Sequence, residues 1–372
     1  MVAGAAGRTP RVHLINPLLD WNGGADRRTA ETWRLLRAWG DVAVWSEYEP
    51  APEFLACLSV RRISPLRLSI PFGGTMVFVG VYFRIGHWIR LARPQRIVIL
   101  YNTDQPDRLA KNLHRIAGCG CRAEVVASSH ALARRLGRRV PLLESPIELS
   151  PFVGASRPEG RVFTVGRLSR DVATKHHDDD PELYRRLAAA GCRVRLMGAT
   201  CLAERLAGTP NIELLPAGAE NSVAFLRSID CFLYRTNARW FEGFGRVVFE
   251  AMASGLPVAC STQGGYADYL TNGRDCLLFD TTAGAVEQVL RLRDDVSLRR
   301  RLAAAAPVTA HAVVGDALER RTREFLFAPS AGSECGHPER FARMGRLAAA
   351  TPPALARHSR GSPAPGGSAV RW

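Results

Sequence analysis

Residues 241–258 read FEGFGRVVFEAMASGLPV, and this stretch decides which fold we expect. Its second part, RVVFEAMAS, has helical character and ends at Gly255, whereas glycines interrupt the part before it. The preceding run CFLYRT and the following run LPVACST are rich in apolar and β-branched residues, as strands are. The pattern predicts a strand, a glycine loop, a helix that starts near Gly245, and another strand.

Strand and helix candidates alternate in this way along most of the chain. The strand candidates are RVHLIN, DVAVWS, TMVFVGVYF, RIVILYN and AEVVASS, followed by RVFTVGRL, RVRLMG, IELLPAG, CFLYRT, LPVACST and CLLFD. The helix candidates are residues 25–38, 107–117, 181–190, 220–228, 246–254 and 283–304. Apolar strands that alternate with helices are typical of parallel sheets covered on both faces. We therefore predict an α/β fold with two Rossmann-like domains and a ligand cleft between them.

Prolines, serines and glycines cluster in SPIELSPFVGASRPEGRVF, which predicts a linker near residues 148–160. We assign residues 1–152 to a first domain and residues 153–328 to a second. Residues 329–372 are rich in Pro, Gly, Ala and Ser without sustained periodicity, so we predict a disordered tail there.

The positive charge of the chain is almost entirely arginine. Its 372 residues carry a formal net charge of +15, yet Lys111 and Lys175 are the only lysines among 50 basic residues. This skew resembles a coding bias, so we predict no nucleic-acid partner, although the charge still attracts phosphates and anionic lipids. Arg84, His87 and Arg90 interrupt the longest apolar run, and no apolar signal core precedes the first strand candidate. We predict no transmembrane span and a cytoplasmic location.

The two glutamates of the opening stretch flank the predicted helix start. Gly243 and Gly245 allow close backbone approach, and free amides at a helix start attract a phosphate. A carboxylate would repel that phosphate, so Glu242 and Glu250 are better suited to accept hydrogen bonds from hydroxyl groups of a sugar and a ribose. In the alternative interpretation, the charge of Glu242 only interacts favourably with the positive end of the helix dipole, and Glu250 is a solvated helix residue.

Several stretches resemble retaining glycosyltransferases of the GT-B fold, the family four class of group 1 glycosyl transferases. FEGFGRVVFE carries the Glu, seven residues, Glu signature, FTVGRLSRDVATKH resembles the Gly-Arg strand end with its lysine, and QGGYADYL resembles the Gly-Gly turn. LLDWNGGADR resembles the glycine-rich loop after the first strand. The resemblance implies a sugar transfer from a nucleoside-diphosphate sugar to a glycan or lipid-linked acceptor, with retention of anomeric configuration and without a metal or other cofactor.

The resemblance also implies roles for individual residues. Arg167 and Lys175 would neutralise the donor diphosphate, Glu242 would contact the transferred sugar, and Glu250 would bind the ribose. The backbone amides of Phe244, Gly245 and Arg246 would bind the diphosphate, and Gly23 and Gly24 would close over it from the first domain. Seven residues separate Arg167 from Lys175, more than the commoner spacing of the family, so the loop between them must fold back.

The first domain departs further from the family pattern. Similar enzymes often place a histidine near the reacting sugar, where this chain has ILYNTDQPD. Asn102, Thr103 and Asp104 end that strand and are candidates for the sugar or acceptor side, with His87 as an alternative. Arginines and aromatics around VYFRIGHWIR suggest peripheral contact with an anionic membrane.

Three rival interpretations remain. KHHDDDPEL could hold a metal ion, but Asp180 as N-cap, Pro181 in the first helical position and Glu182 near the dipole explain the same residues. An NAD(P)-type oxidoreductase shares the fold, although no G-x-G-x-x-G follows the first strand. A non-catalytic basic module that binds nucleic acid is the remaining alternative.

Overall fold

A computed structural model describes residues 11–154 and 162–329. The predicted disordered tail lies outside the described residues, apart from Pro329, and so does part of the predicted linker. Within the described residues, no helix combines the length and the apolar character that a membrane span requires.

The first domain is a six-stranded parallel sheet with helices on both faces. Its strands are β1 (Arg11–Ile15), β2 (Asp41–Ser46), β3 (Val60–Arg62), β4 (Thr75–Val79), β5 (Arg96–Tyr101) and β6 (Glu124–Ala127), in the order β3-β2-β1-β4-β5-β6. Its helices are α1 (Gly24–Leu36), α2 (Pro52–Cys57), α3 (Trp88–Ala92), α4 (Pro106–Gly118) and α5 (His130–Arg135).

The second domain repeats this topology. Its strands are β7 (Thr164–Leu168), β8 (Arg193–Met197), β9 (Ile212–Leu215), β10 (Cys231–Tyr234), β11 (Val258–Ser261) and β12 (Leu277–Phe279), in the order β12-β11-β10-β7-β8-β9. Its helices are α6 (Asp180–Ala189), α7 (Ala203–Leu206), α8 (Ser222–Arg227), α9 (Arg246–Ala253), α10 (Thr282–Asp294) and α11 (Val296–Val314). A last helix, α12 (Asp316–Phe327), follows them.

Both sheets reverse their strand order beside the first strand of the domain, between β1 and β4 and between β7 and β10. At such a point the loops after two neighbouring parallel strands run in opposite directions. A crevice therefore forms between them at the carboxyl ends of the strands. The repeated topology therefore places one crevice in each domain, and the two crevices face one cleft. The predicted class, two Rossmann-like domains with parallel sheets, is confirmed.

Two differences from the predicted elements have simple causes. The short edge strand β3 was not predicted because VRR carries too little apolar pattern to distinguish it from a loop. The predicted helix 283–304 is two helices, because Asp295 leaves helical geometry and its side chain accepts a hydrogen bond from the Leu298 amide. Asp295 thereby caps α11, which extends to Val314.

The last helix returns to the first domain. Helix α12 contacts α1 and β1, and it buries Leu318 and Leu326. Arg96, at the start of β5, donates a hydrogen bond of 2.5 Å to the Phe325 carbonyl and pairs with Glu124 at 2.7 Å. The sequence assigned this helix to the second domain, but its contacts tie the end of the described chain to the first sheet.

We expect Leu326→Ala to lower the free energy of unfolding by about 2–5 kcal/mol, because it removes a fully buried side chain and leaves a cavity. Urea unfolding followed by circular dichroism measures the change. Val308→Ala is the control, since Val308 is 69% exposed on α11 and should change stability by less than about 0.5 kcal/mol. Equal effects of the two substitutions would contradict the packing of α12 against the first domain.

Candidate active site

A cavity of about 1320 Å³ lies between the two domains. The first domain contributes the loops after β1, β4 and β5, and the second contributes those after β7, β8, β9 and β10. Ligand pockets for one small molecule usually enclose about 300–1,000 Å³, so this cleft has room for two substrates together.

Helix α9 begins at the cleft. Gly245 precedes it with φ +77° and offers no side-chain cap, so the first amides of the helix are left for another acceptor. A β-carbon at Gly245 would lie 2.4 Å from Tyr266, and one at Gly243 would lie 2.1 Å from the Asn102 carbonyl oxygen of the first domain. Both glycines are therefore required by close contacts, and the predicted start of the helix is confirmed.

A buried ion pair lies directly before this helix start. The Lys175 ammonium donates to Glu242 Oε2, which also accepts a hydrogen bond of 2.8 Å from the Tyr234 hydroxyl. Burial alone would raise the pKa of Glu242, but the Lys175 charge and the two hydrogen bonds outweigh it and lower this pKa. Burial and the nearby Glu242 charge raise the pKa of Tyr234 well above its usual value of 10.0, so the phenol keeps its proton. Glu242 is therefore a fixed carboxylate.

Arg167 does not line the cleft. Its guanidinium is 1% exposed and donates to the backbone carbonyls of Arg235 and Lys175, with Asp180 3.7 Å away. Two of its nitrogens donate to the wall behind the cleft, whereas its Nε has no hydrogen-bond partner within the described residues, so a contact of Arg167 with the donor diphosphate stays a prediction. Its contact with the Lys175 carbonyl fixes the short helical turn Ala173–Lys175 that carries the lysine.

A different arginine of the same loop reaches the cleft. Arg170 lines it and lies 3.8 Å from Asp20, which belongs to the loop after β1 in the other domain. The seven residues between Arg167 and Lys175 do fold back, since the Arg167 guanidinium donates to the Lys175 carbonyl. Arg170 and Lys175 are thus the cationic side chains that this loop presents to the cleft.

Glu250 lies on α9 and lines the cleft, where it is 6% exposed. Its carboxylate is 3.7 Å from the Arg246 guanidinium, which also approaches Glu31 of α1 to 4.0 Å. Arg246 donates to the Ser145 hydroxyl at 2.8 Å and the Pro146 carbonyl at 2.6 Å. Its side chain therefore joins the domains, while its backbone is at the helix start.

The first domain opposes α9 with the start of another helix. Gly23 and Gly24 line the cleft at the start of α1, and Gly23 leaves this helix without a side-chain cap. Asp26, in the first turn, accepts a hydrogen bond of 3.0 Å from the Asp20 amide. Burial raises the pKa of Asp26 to about 6, and the neighbouring Asp20 charge adds to this rise.

Of the polar residues after β5, Asn102 and Thr103 line the cleft. The buried guanidinium of Arg28 donates to Asn102 Oδ1 and, at 2.5 Å, to the Leu143 carbonyl. A guanidinium only donates, so the amide atom of Asn102 that faces Arg28 is the oxygen. Asn102 Nδ2 is buried without a partner within the described residues and is therefore a free donor.

Two other candidates lie elsewhere. Asp104 is not among the residues that line the cleft, and it pairs with Arg135 at 2.5 Å. His87 is exposed just before α3 and also does not line the cleft. The structure therefore does not bring either residue to the cleft, and the sugar or acceptor role expected for them stays a prediction.

The His and Asp run beside α6 serves the fold. Asp179, and not the predicted Asp180, precedes the helix. Asp180 is its first residue, where it is fully buried and pairs with Arg235 at 2.6 Å. His176 contacts the Gly198 carbonyl at 2.9 Å, whereas the His177 ring accepts from the Asp179 amide at 3.1 Å. Within the described residues, no group of three or more His, Cys, Asp or Glu side chains could hold a metal ion.

The sequence did not identify four site residues, Asp26, Arg28, Arg170 and Tyr234. Arg28 and Arg170 are two of many arginines, and nothing local distinguishes them. Tyr234 ends β10 and could have been selected as a polar group at a strand end, as Asn102 was. Asp26 lies two residues after Gly24 within LLDWNGGADR, and this nearness to the Gly-Gly pair is the signal that marks it.

Residues 153–308 match the family model described as glycosyl transferases group 1. This match confirms the resemblance at the level of group 1, and it spans the part of the chain that carries α9, Lys175 and Glu242. No curated protein sequence matches the chain significantly.

Solved structures share the whole fold at low sequence identity. HepE of Anabaena in complex with UDP-glucose aligns with a TM-score of 0.67 at 14% identity, over 85% of this chain and 99% of that one. A glycosyltransferase of Rickettsia africae aligns with 0.67 at 13%, over 86% and 98%. WaaG, a glycosyltransferase involved in lipopolysaccharide biosynthesis, aligns with 0.64 at 13%, over 85% and 99%. The fold is therefore GT-B.

We expect Asp26→Asn to stabilise the protein above neutral pH. Because the carboxyl pKa is raised, the folded state binds more protons than the unfolded state between pH 3.8 and about pH 6. The unsubstituted protein therefore loses stability as the pH rises through that window. The variant should gain about 2 kcal/mol at about pH 7.5 and almost nothing at about pH 4, measured by thermal unfolding. Asp107→Asn, at an exposed first-turn position of α4, is the control. An equal gain at both pH values would exclude ionisation as the cause.

Proposed function

We propose that this protein transfers a sugar from a nucleoside-diphosphate sugar to a glycan or lipid-linked acceptor, with retention of anomeric configuration. The match of residues 153–308 to the group 1 glycosyl transferase model and the GT-B fold support this proposal. The observation that carries this proposal is the Lys175 and Glu242 pair at the uncapped start of α9, inside a cleft large enough for donor and acceptor.

The donor diphosphate lies at the start of α9 in this proposal. The amides of Phe244, Gly245 and Arg246 donate to its oxygens, since no side chain caps this helix. Lys175 and Arg170 supply fixed positive charge as the phosphate leaves, which stabilises the transition state more than the ground state. Gly23 and Gly24 let the start of α1 approach the same group from the first domain.

Glu242 accepts hydrogen bonds from the transferred sugar. Its lowered pKa and its contacts with Lys175 and Tyr234 make it unsuited to take up a proton, so we assign it to sugar positioning and not to base catalysis. The anomeric carbon loses its bond to the phosphate oxygen and gains one to the acceptor oxygen. The acceptor proton passes to the leaving phosphate, which is itself a base beside the reacting carbon.

The nucleoside occupies the far end of the cleft. Glu250 accepts hydrogen bonds from the ribose hydroxyls, and Met197, Gly218 and Asn221 line the space beyond it for the base. A bound UDP-glucose in the HepE structure makes UDP-sugars the first donors to test. The acceptor enters on the side of Asn102, whose free Nδ2 donates to one of its oxygens or to the sugar. We place the reaction in the cytoplasm, at the inner face of the membrane.

We expect Lys175→Met to lower kcat by about 10²–10³-fold, because one fixed cation at the leaving group is lost. A thermal-shift screen of UDP-, GDP- and ADP-sugars first selects the donor. Turnover is then measured as the nucleoside diphosphate released from that donor. Lys111→Met is a matched control, since Lys111 is the other lysine of the chain and lies exposed on α4.

A second variant separates folding from catalysis. Lys175→Met leaves a buried carboxylate unpaired, which destabilises proteins by about 3–5 kcal/mol. Adding Glu242→Gln removes that charge, so the double variant should melt near the unsubstituted protein and still lack activity. Substantial turnover by either variant would remove the pair from the reaction.

We expect EDTA to leave turnover unchanged, because Lys175, Arg170 and the start of α9 supply the positive charge that a divalent cation would otherwise supply. Initial rates are compared with and without EDTA, and again after adding Mg²⁺ or Mn²⁺. Loss of activity in EDTA that either ion restores would contradict this assignment.

A further inference from the structure

One long segment of the first domain carries positive charge without any negative charge. Residues 54–103 contain no Asp or Glu, and their charged side chains are all arginines, at positions 61, 62, 67, 84, 90, 93 and 96. The segment includes the buried strands β4 and β5, and Arg62 and Arg96 pair with acids from outside it. Its charge therefore matters where arginines are exposed without an acid nearby, and such a surface of one sign favours an anionic partner.

Part of this segment forms a tight loop that presents leucines to solvent. Ser64 and Ser69 exchange backbone hydrogen bonds of 2.8 and 3.1 Å, which close the loop around the helical turn Pro65–Arg67. Leu68 has φ +54°, a left-handed conformation that a non-glycine residue seldom adopts. Leu66 is 99% exposed and Leu68 82% exposed, so this built loop leaves both side chains without packing partners.

A second piece of the same surface lies beside the loop. The Gly73 amide donates to the Ala92 carbonyl at 2.8 Å, which joins the end of the loop to the end of α3. Phe72 and Leu91, on either side of this bond, are 56% and 59% exposed. Trp88 and Ile89 of α3 are buried against the sheet and fix the position of this piece.

The sequence placed the membrane contact on VYFRIGHWIR, and the structure changes which residues are available. Phe83 and Trp88 from that stretch are buried, and Phe78 packs against both, at centroid distances of 4.1 and 6.5 Å. Tyr82 of that stretch is 46% exposed, but it lines the cleft, and the other exposed apolar side chains lie before and after the stretch, in the loop and at Leu91.

Exposed arginines surround these apolar side chains. Arg67 lies between the two loop leucines, and Arg90 and Arg93 flank Leu91. Within residues 11–154 and 162–329, no ion pair joins Arg67, Arg90 or Arg93 to a carboxylate. Arg62, in contrast, pairs with Glu49, which lies outside the acid-free segment.

We propose that this surface, formed by Leu66, Leu68, Phe72, Leu91, Arg67, Arg90 and Arg93, docks the protein on a bilayer of anionic phospholipid. Isolated leucines between arginines fit an interface where apolar side chains enter the acyl boundary and guanidinium groups meet phosphates. A second copy of the chain would bring the same unpaired arginines together, which disfavours a dimer. None of the seven residues lines the cleft, so docking leaves the active site open.

The inference rests on the proposed function in one respect, because a membrane would supply a lipid-linked acceptor. Binding to vesicles can nevertheless be measured without donor or acceptor. The two proposals can therefore fail separately.

The test is cosedimentation of the full chain with vesicles. We expect binding to phosphatidylcholine vesicles that contain phosphatidylglycerol, and much weaker binding to pure phosphatidylcholine. Leu66→Ser with Leu68→Ser should lower the affinity at least about tenfold, since the two side chains have no packing partners to lose in the folded protein. Val308→Ser is the control, because Val308 is 69% exposed on the second domain.

A charge-matched pair isolates the electrostatic contribution. Arg67→Gln with Arg93→Gln should lower the affinity about 30-fold, at about fivefold for each arginine near an anionic surface. Arg300→Gln with Arg301→Gln removes the same charge from exposed positions of α11 and should leave the affinity nearly unchanged.

Three results would overturn the proposal. Equal binding to the two kinds of vesicle would exclude recognition of anionic lipid. An equal loss for the α11 pair would mean that net charge alone acts. A dimer in sedimentation velocity that the leucine substitutions dissociate would make a second copy the occupant. Unchanged UDP-sugar binding by the loop variants would confirm that their defect lies outside the cleft.

Discussion

The geometry of the candidate site depends on one buried ion pair, between the Lys175 ammonium and the Glu242 carboxylate. Burying two charges is costly unless each is paired and hydrogen-bonded, and this pair meets that condition through Tyr234. Arg167 fixes the turn that carries the lysine by donating to its carbonyl. A buried pair seldom adds stability compared with apolar residues of the same size, so its presence at a helix start is better explained by chemistry than by folding.

The cleft has a defined shape because the domains meet through backbone as well as side chains. Gly243 approaches the Asn102 carbonyl so closely that no β-carbon fits between them. Arg28 and Arg246 each donate to backbone carbonyls of the segment that leads into the second domain. At the same cleft, burial and the neighbouring Asp20 charge raise the pKa of Asp26. Perturbed pKa values of this kind cluster at functional sites.

The fold class and most of the strands could be predicted from the sequence, whereas several short helices, the last helix and part of the site could not. Apolar runs of strand length are local signals, and so are the glycines and the two glutamates around α9. Arginines carry no such signal, because a guanidinium with a long flexible stem can pack, pair or bind a ligand from the same sequence position. The sequence therefore selected Arg167, although its loop turns Arg170 towards the cleft, and it had no means of selecting Arg28.

The sequence by itself determined the two parallel sheets, the helix that starts after Gly245 and the pair of acids beside it, because periodicity and glycine act within a few residues. Only the tertiary structure decided which cation meets Glu242, that Asp104 and His87 lie outside the cleft, and that the last helix returns to the first sheet. Those outcomes depend on burial and on contacts between residues far apart in the chain. Such contacts follow from how the two domains pack, which no local pattern records.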